Sequence, residues 1–195
     1  MNKVIVCSWN IRRATSNSDN VWSLIDDISP DILCLQEVNS LPANIKSKYS
    51  ILSRQALSKK NTKQTFCTMI LVKGEIESEI QLISSLDSLS KVLSIFNGNL
   101  IAAKATLDSG FSFNILSVYS PAWAIDTWVT PIDKRTINLE NNKDLWLTEL
   151  LWESLKNTYN SKPWIIAGDL NASTTFDNSS HMPHGNQEIL DRMLD

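Results

Sequence analysis

Val4-Ile5-Val6-Cys7-Ser8-Trp9-Asn10 and Asp31-Ile32-Leu33-Cys34-Leu35-Gln36-Glu37 decide how this chain folds. Each is a short β-branched or apolar run that ends in polar side chains. That is the pattern of a buried strand delivering an amide or a carboxylate at its carboxyl end. Between them, Asn20–Ile28 sets Val21, Leu24, Ile25 and Ile28 at i, i+3, i+4 and i+7, one apolar helical face. Ser18 or Asp19 can cap the start of this helix, and Pro30 bars its continuation. Strand, helix and strand make a crossover unit with parallel strands. Asn10 and Glu37 are therefore expected at the same edge of one sheet.

A third strand end carries matching equipment. Trp164-Ile165-Ile166 runs into Gly168-Asp169-Leu170-Asn171, which puts a carboxylate and an amide at another carboxyl terminus. Open α/β folds place their chemistry at such ends, although Gly-Asp and Asn are also ordinary turn residues. Elsewhere, Tyr49–Leu52 and Thr65–Val72 read as strands, with Ser53–Lys63 as a polar, basic loop between them. Ile76–Ile83 and Val92–Phe96 are further expected strands. Turn signals at Asn97-Gly98-Asn99 and Asp108-Ser109-Gly110 bracket Leu100–Leu107, which forms a hairpin with Phe111–Val118. Asn138–Tyr159 is the longest helical candidate, with Leu147, Leu150, Leu151 and Leu155 as its apolar stripe. Trp22, Trp146 and Trp152 read as packing residues rather than as a base-stacking platform.

A chain of 195 residues defaults to one compact domain, residues 1–195, able to bury roughly 70% of its unfolded surface. The net charge of −3 gives no overall affinity for a polyanion, so such affinity would have to be local. Arg54, Lys59, Lys60 and Lys63 are a candidate basic patch, or simply a solvated lysine-rich loop. Cys7, Cys34 and Cys67 are odd in number and lack metal-site spacing. They read as small buried residues in a reducing compartment. With no apolar run near the roughly 18 residues of a span, a cytoplasmic location is expected.

With these pieces in order, Trp9-Asn10-Ile11, Asp31–Glu37, Val118-Tyr119-Ser120-Pro121 and Gly168-Asp169-Leu170-Asn171, the chain resembles the endonuclease/exonuclease/phosphatase superfamily. The resemblance runs from about Val4 to the C-terminus. It implies an α+β fold, a four-layer sandwich of two packed mixed β-sheets flanked by helices. It also implies a metal-dependent phosphoesterase, with hydrolysis of phosphodiester bonds in nucleic acid as the leading reading. The alternatives are a phosphomonoesterase or lipid-headgroup phosphodiesterase, and, from another class, a non-catalytic remnant or phosphate-binding module.

The resemblance assigns roles residue by residue. Glu37 and Asn10 hold Mg²⁺, with Mn²⁺ as an alternative; a carboxylate oxygen suits such a hard cation, which takes few protein ligands. Asp169 orients or deprotonates the attacking water. Asn171 holds a phosphate oxygen through its amide, unless it only makes an Asx turn. Tyr119 donates to the phosphate or the leaving oxygen, unless it is merely a buried strand-end tyrosine.

Two departures stand out. Arg12 occupies a place where several nuclease members carry an acidic residue; it cannot ligate a cation but can grip a substrate phosphate bidentately. Arg13 could add to this, or either could be a solvated charge. The family's terminal Asp-His pair has no counterpart before Asp195, so the resemblance leads to the expectation of a domain incomplete at its C-terminal end, with strands missing unless a second chain supplies them. His181 and His184 sit in a Ser/Asn/Pro/Gly segment expected to be a loop, and neither inherits the missing role.

Overall fold

The computed structural model describes residues 3–58, 62–125, 145–158, 162–178 and 185–194. The chain forms two compact units. The first comprises residues 1–81, 96–119 and 160–169, and the second residues 82–95, 120–159 and 170–195.

The first unit opens with the expected crossover. β1 (Val6–Ala14) pairs in parallel with β2 (Ile32–Val38), and α1 (Asp19–Ile28) connects them. Ser29 ends α1 in a left-handed conformation, its N–H donating to Ile25 O. The buried face of α1 differs from the expected one. Trp22 and Ile25 are buried, whereas Leu24 and Ile28 are exposed. Trp22 wins because it is the larger apolar surface and its Nε1 finds a partner, donating to Thr15 O at 2.7 Å. Ser18 stands at the cap position without a side-chain bond to the helix; its hydroxyl accepts from Thr15 N instead.

After α2 (Ala43–Lys46) come β3 (Ser50–Leu57) and β4 (Lys63–Val72), which complete a sheet of order β1-β2-β4-β3. Of the loop expected at Ser53–Lys63, Ser53–Leu57 and Lys63 are strand, with Arg54 paired to Thr68 and Gln55 to Cys67. β3 lies at the sheet edge, where polar side chains are tolerated and discourage further pairing. The sheet's two faces divide by residue parity. Leu33, Leu35, Met69 and Leu71 cluster with Trp22, Ile25 and Ile45 of the two helices. Ile32, Cys34, Ile70 and Val72 face the other way, against Ile101, Ala103, Ala105, Phe113 and Ile115 of the second sheet. Cys7, Cys34 and Cys67 are free, and Cys34 is buried.

That second sheet has order β5-β6-β7-β8: β5 (Gly74–Ile80), β6 (Leu100–Leu107), β7 (Ser112–Tyr119) and β8 (Trp164–Asp169). β6 and β7 form the expected hairpin, and β8 runs parallel to β7, with Tyr119 opposite Asp169. Both sheets are mixed, so the architecture is an α+β sandwich. Gly168 is obligatory for the last pairing. Its φ is +153°, and a Cβ there would stand 2.1 Å from Val118 O. Gly168→Ala is expected to lower stability by about 2 kcal/mol or more. Urea unfolding should show an earlier midpoint; an unchanged midpoint would mean that β8 does not lie so close to β7.

The second unit contains α3 (Asp87–Ile95), α4 (Leu147–Thr158), a 3₁₀ turn at Thr174–Asn178, and α5 (Asn186–Leu194). α3 corrects the strand expected at Val92–Phe96. Leu89, Val92 and Leu93 are buried at i, i+3 and i+4, a helical period that the short apolar run conceals. Leu147, Leu150 and Leu151 of α4 are fully buried, and Trp152 donates from Nε1 to Arg192 O at 2.9 Å. Trp152 is therefore a packing residue. Asp177 accepts from the backbone N–H groups of Asn186 and Gln187, capping α5. Residues 126–144, His181 and His184, and Lys59 and Lys60 lie outside the described residues. Among the described residues, no helix is long and apolar enough to cross a membrane.

Candidate active site

Parity carries polar side chains to one end of the space between the sheets. On β7 and β8, Phe113, Ile115, Ile165 and Ala167 belong to the inter-sheet core. Ser117, Tyr119 and Asp169 continue those alternating rows toward the carboxyl ends. On β2, Gln36 follows Cys34 on the inward face and is fully buried; its Nε2 donates to Ser117 Oγ at 3.2 Å.

The pattern then breaks. Asn10 pairs with Gln36 and Ala14 with Val38, so Ile11, Arg12 and Arg13 all stand opposite Glu37. On the other side, Leu35 pairs with Met69 and Val38 with Cys67, so Gln36 and Glu37 share Thr68. Glu37 thus sits at an irregularity against both neighbours, with φ +55°. Val38 returns to the helix-facing side, one residue out of step. Bulges re-aim a side chain in this way. The left-handed backbone of a β-branched or acidic residue is uncommon and is found where the surroundings impose it.

The result is a polar cavity of about 500 Å³ lined by Ser8, Trp9, Asn10, Arg12, Gln36, Glu37, Gly168 and Asp169. Asn10 is its hub. Its Nδ2 donates to Glu37 Oε1 at 3.1 Å and to Asp169 Oδ2 at 2.8 Å. Its Oδ1 accepts from the Arg12 N–H at 3.0 Å. Tyr119 Oη donates to Glu37 Oε1 at 3.3 Å, and the Tyr119 ring meets Phe66 edge-on at 5.4 Å. Four strands, distant in sequence, therefore supply one connected group: Tyr119 and Asp169 from the ends of β7 and β8, Glu37 from the residue before the end of β2, and Asn10 from the register break within β1. Asn171 belongs to the second unit, with φ +45° and its Nδ2 donating to Ser120 O at 2.5 Å. Arg54 of the candidate basic patch is paired with Glu79 at 2.6 Å.

Residues 7–194 match the family described as Endonuclease/Exonuclease/phosphatase. The chain belongs to that family. A search of curated protein sequences gave no match. Among solved structures, this family member is similar to the "Endonuclease domain of TRAS1, a telomere-specific non-LTR retrotransposon". The TM-score is 0.52 and the identity 14%, over 97% of this chain and 70% of that one. At such identity the likeness speaks for the fold.

The donor atoms that a cation could use here are the carboxylate oxygens of Glu37 and Asp169; the Asn10 amide turns its nitrogen to them and its oxygen to the Arg12 N–H. This set fits the hard cations Mg²⁺ and Mn²⁺. Among the described residues, no three His, Cys, Asp or Glu side chains gather into a fuller cage. Sparse protein ligation suits Mg²⁺, which keeps several waters. Sequence reading gave Gln36 and Ser117 no role in this family member, yet both are fully buried and joined by a hydrogen bond, and Gln36 also lines the cavity. Gln36 Oε1 is buried without a hydrogen-bond partner among the described residues. The available signal was a glutamine in phase with the inward-facing Ile32 and Cys34.

The Tyr119 phenol is pushed up to about 12, chiefly by burial and then by the charge of Glu37 beside it. Tyr49 also rises to about 12 through burial. An unfolded phenol ionises near ~10. Above that pH the unfolded chain loses these protons first, so the stability present below ~10 is lost progressively as pH rises toward about 12. Alkaline titration should show delayed phenolate absorbance, with a smaller late step in Tyr119→Phe. Complete ionisation near ~10 in the folded protein would contradict this environment for Tyr119.

Proposed function

We propose that this family member is a metal-assisted phosphodiesterase acting on nucleic acid. The observation that carries the reading is the single Asn10 amide spanning the Glu37 and Asp169 carboxylates, with the Tyr119 hydroxyl on the same Glu37 oxygen. Two carboxylates so joined have distinct surroundings and can take distinct tasks.

Glu37, with Asn10 beside it, would hold the divalent cation, Mg²⁺ or Mn²⁺. When bound there, the cation would neutralise charge on the phosphate and on the departing oxygen. Asp169 accepts a proton from the attacking water as general base. Asn10 fixes the direction of both carboxylates before substrate arrives, which lowers the reorganisation needed during reaction. Tyr119 remains protonated at neutral pH and so serves as a donor to a phosphate oxygen. Arg12, at the cavity wall, offers a planar guanidinium to the substrate phosphate.

Incubation with supercoiled, nicked and abasic DNA and Mg²⁺ tests the proposal. Nicking that requires the cation and stops with a chelator is the expected result. Absence of metal-dependent cleavage by folded protein would reject it, and tight DNA binding without cleavage would favour a non-catalytic phosphate-binding module.

A further inference from the structure

Alternation along β2 sends Leu33 and Leu35 toward the helices, and Ile32 and Cys34 toward the second sheet. Continued regularly, it would put Gln36 between the sheets and Glu37 on the helix-facing side. Gln36 follows the rule and Glu37 breaks it. The Glu37 carboxylate accepts from Tyr119 of the second sheet and lines the same cavity as Gln36. The reversal is confined to Glu37, whose φ is +55°, and Val38 is back among the helix-facing residues. A left-handed acidic residue relaxes toward extended strand unless its surroundings prevent it. Asn10 and Tyr119 hold the carboxylate at its tip, but neither holds the backbone that turns it. That task falls to the residues on either side, the buried Val38 and the buried Gln36.

Gln36 is tied across the sandwich. Its Nε2 donates to Ser117 Oγ on the second sheet, and Ser117 is itself buried and hydrogen-bonded to Cys34. Packing does not require this amide. Gln36 Oε1 is buried with no hydrogen-bond partner among the described residues. Thr68, which stands opposite both Gln36 and Glu37, has its own hydroxyl buried and unpartnered, so β4 offers no relief. An orphaned buried amide oxygen is costly. A methionine would fill nearly the same volume and leave no orphan. The glutamine therefore costs stability where it stands, while its bond to Ser117 pins the residue that precedes the turn at Glu37.

We infer that Gln36 is a positioning residue for Glu37: its buried amide, anchored to Ser117 of the opposite sheet, keeps the Glu37 carboxylate in the space between the sheets instead of on the helix-facing side. This rests on the reading of Glu37 as the carboxylate that holds the cation, and adds the device that aims it.

Gln36→Met in the full chain tests this through unfolding curves, calorimetric Mg²⁺ titration and a crystal structure. The urea midpoint should stay at or above that of the parent, as expected when a strained functional arrangement is released. Mg²⁺ binding should weaken about tenfold or more, because one buried hydrogen bond and one left-handed residue are comparable in size. Ser117→Ala, which removes the acceptor on the other sheet, should weaken binding in the same direction. Adding Gln36→Met to Glu37→Gln should cost no further Mg²⁺ affinity, since the amide acts only through the carboxylate. In the structure of Gln36→Met, Glu37 should have left its positive φ and its bond with Asn10. Parental Mg²⁺ affinity, an additive loss in the double variant, or an unmoved Glu37 overturns the inference. So does a midpoint well below that of the parent, which would make Gln36 a packing residue. A parent chain that binds no Mg²⁺ sinks the cation reading instead, and the place of Glu37 in the variant structure then judges the positioning by itself.

Discussion

Asp169→Asn is expected to reduce metal-dependent DNA cleavage by about 10²–10⁴-fold, the range associated with a lost general base. The change keeps the shape of the side chain and removes its negative charge. The asparagine oxygen can still accept from Asn10 Nδ2, now 2.8 Å from Oδ2, so the connection between the strand ends is preserved. Stability should change little, because the residue ends β8 rather than packing in its interior. The loss should fall on kcat more than on KM, as expected for a group that acts on the water rather than on the bound strand. Single-turnover cleavage of labelled DNA measures this directly. A variant that retains parental kcat would remove Asp169 from the reaction, and a variant that fails to fold would be exposed by its unfolding curve.

Glu37→Gln is expected to cost about 10²–10³-fold in cleavage at fixed Mg²⁺, comparable to removing one electrostatic partner of the reacting phosphate. The reason differs from that for Asp169. Glu37 Oε1 accepts from both Asn10 and Tyr119, while Oε2 faces Arg13 loosely. A glutamine oxygen in the place of Oε1 can still accept from both donors but lacks the charge that is proposed to hold a divalent cation. Activity should therefore recover partly as Mg²⁺ is raised, a rescue not expected for Asp169→Asn. Cleavage rates across a Mg²⁺ series separate the two variants; identical metal profiles would show that the two carboxylates are not divided between these tasks.

The crossover of β1, α1 and β2 was legible because strand and helix periods alternate within a short, well-punctuated stretch, from Val4 to Glu37. Leu100–Leu107 was equally legible, bracketed by turn residues and matched to β6 from end to end. The failures share a cause. Val92–Phe96 is a short apolar run, which cannot be told from helix until Leu89 is counted with it. The edge strand β3 carries Ser53, Arg54 and Gln55, whose polarity reads as loop although their backbone pairs regularly with β4. In α1, Trp22 took the buried place that spacing gave to Leu24 and Ile28, because packing of large rings is decided by tertiary partners.

At the site, the residue types could be read, and so could the strand ends at Tyr119 and Asp169; Asn10 ends an apolar run, but β1 continues past it to Ala14. What could not be read was how Glu37 turns. Its orientation depends on register against β1 and β4 together, and no local spacing encodes an irregularity shared by two partner strands. Gln36 escaped for a related reason: its burial follows from the second sheet, which brings Ser117 to it.

In the proposed function, Glu37 turns a cluster of oxygen donors into a divalent-cation site. Calorimetric titration of Mg²⁺ into the parent protein and into Glu37→Gln tests it most directly. Saturable binding of one cation by the parent, lost or weakened at least about tenfold in the variant, is the predicted outcome. Equal binding curves for the two proteins would contradict it.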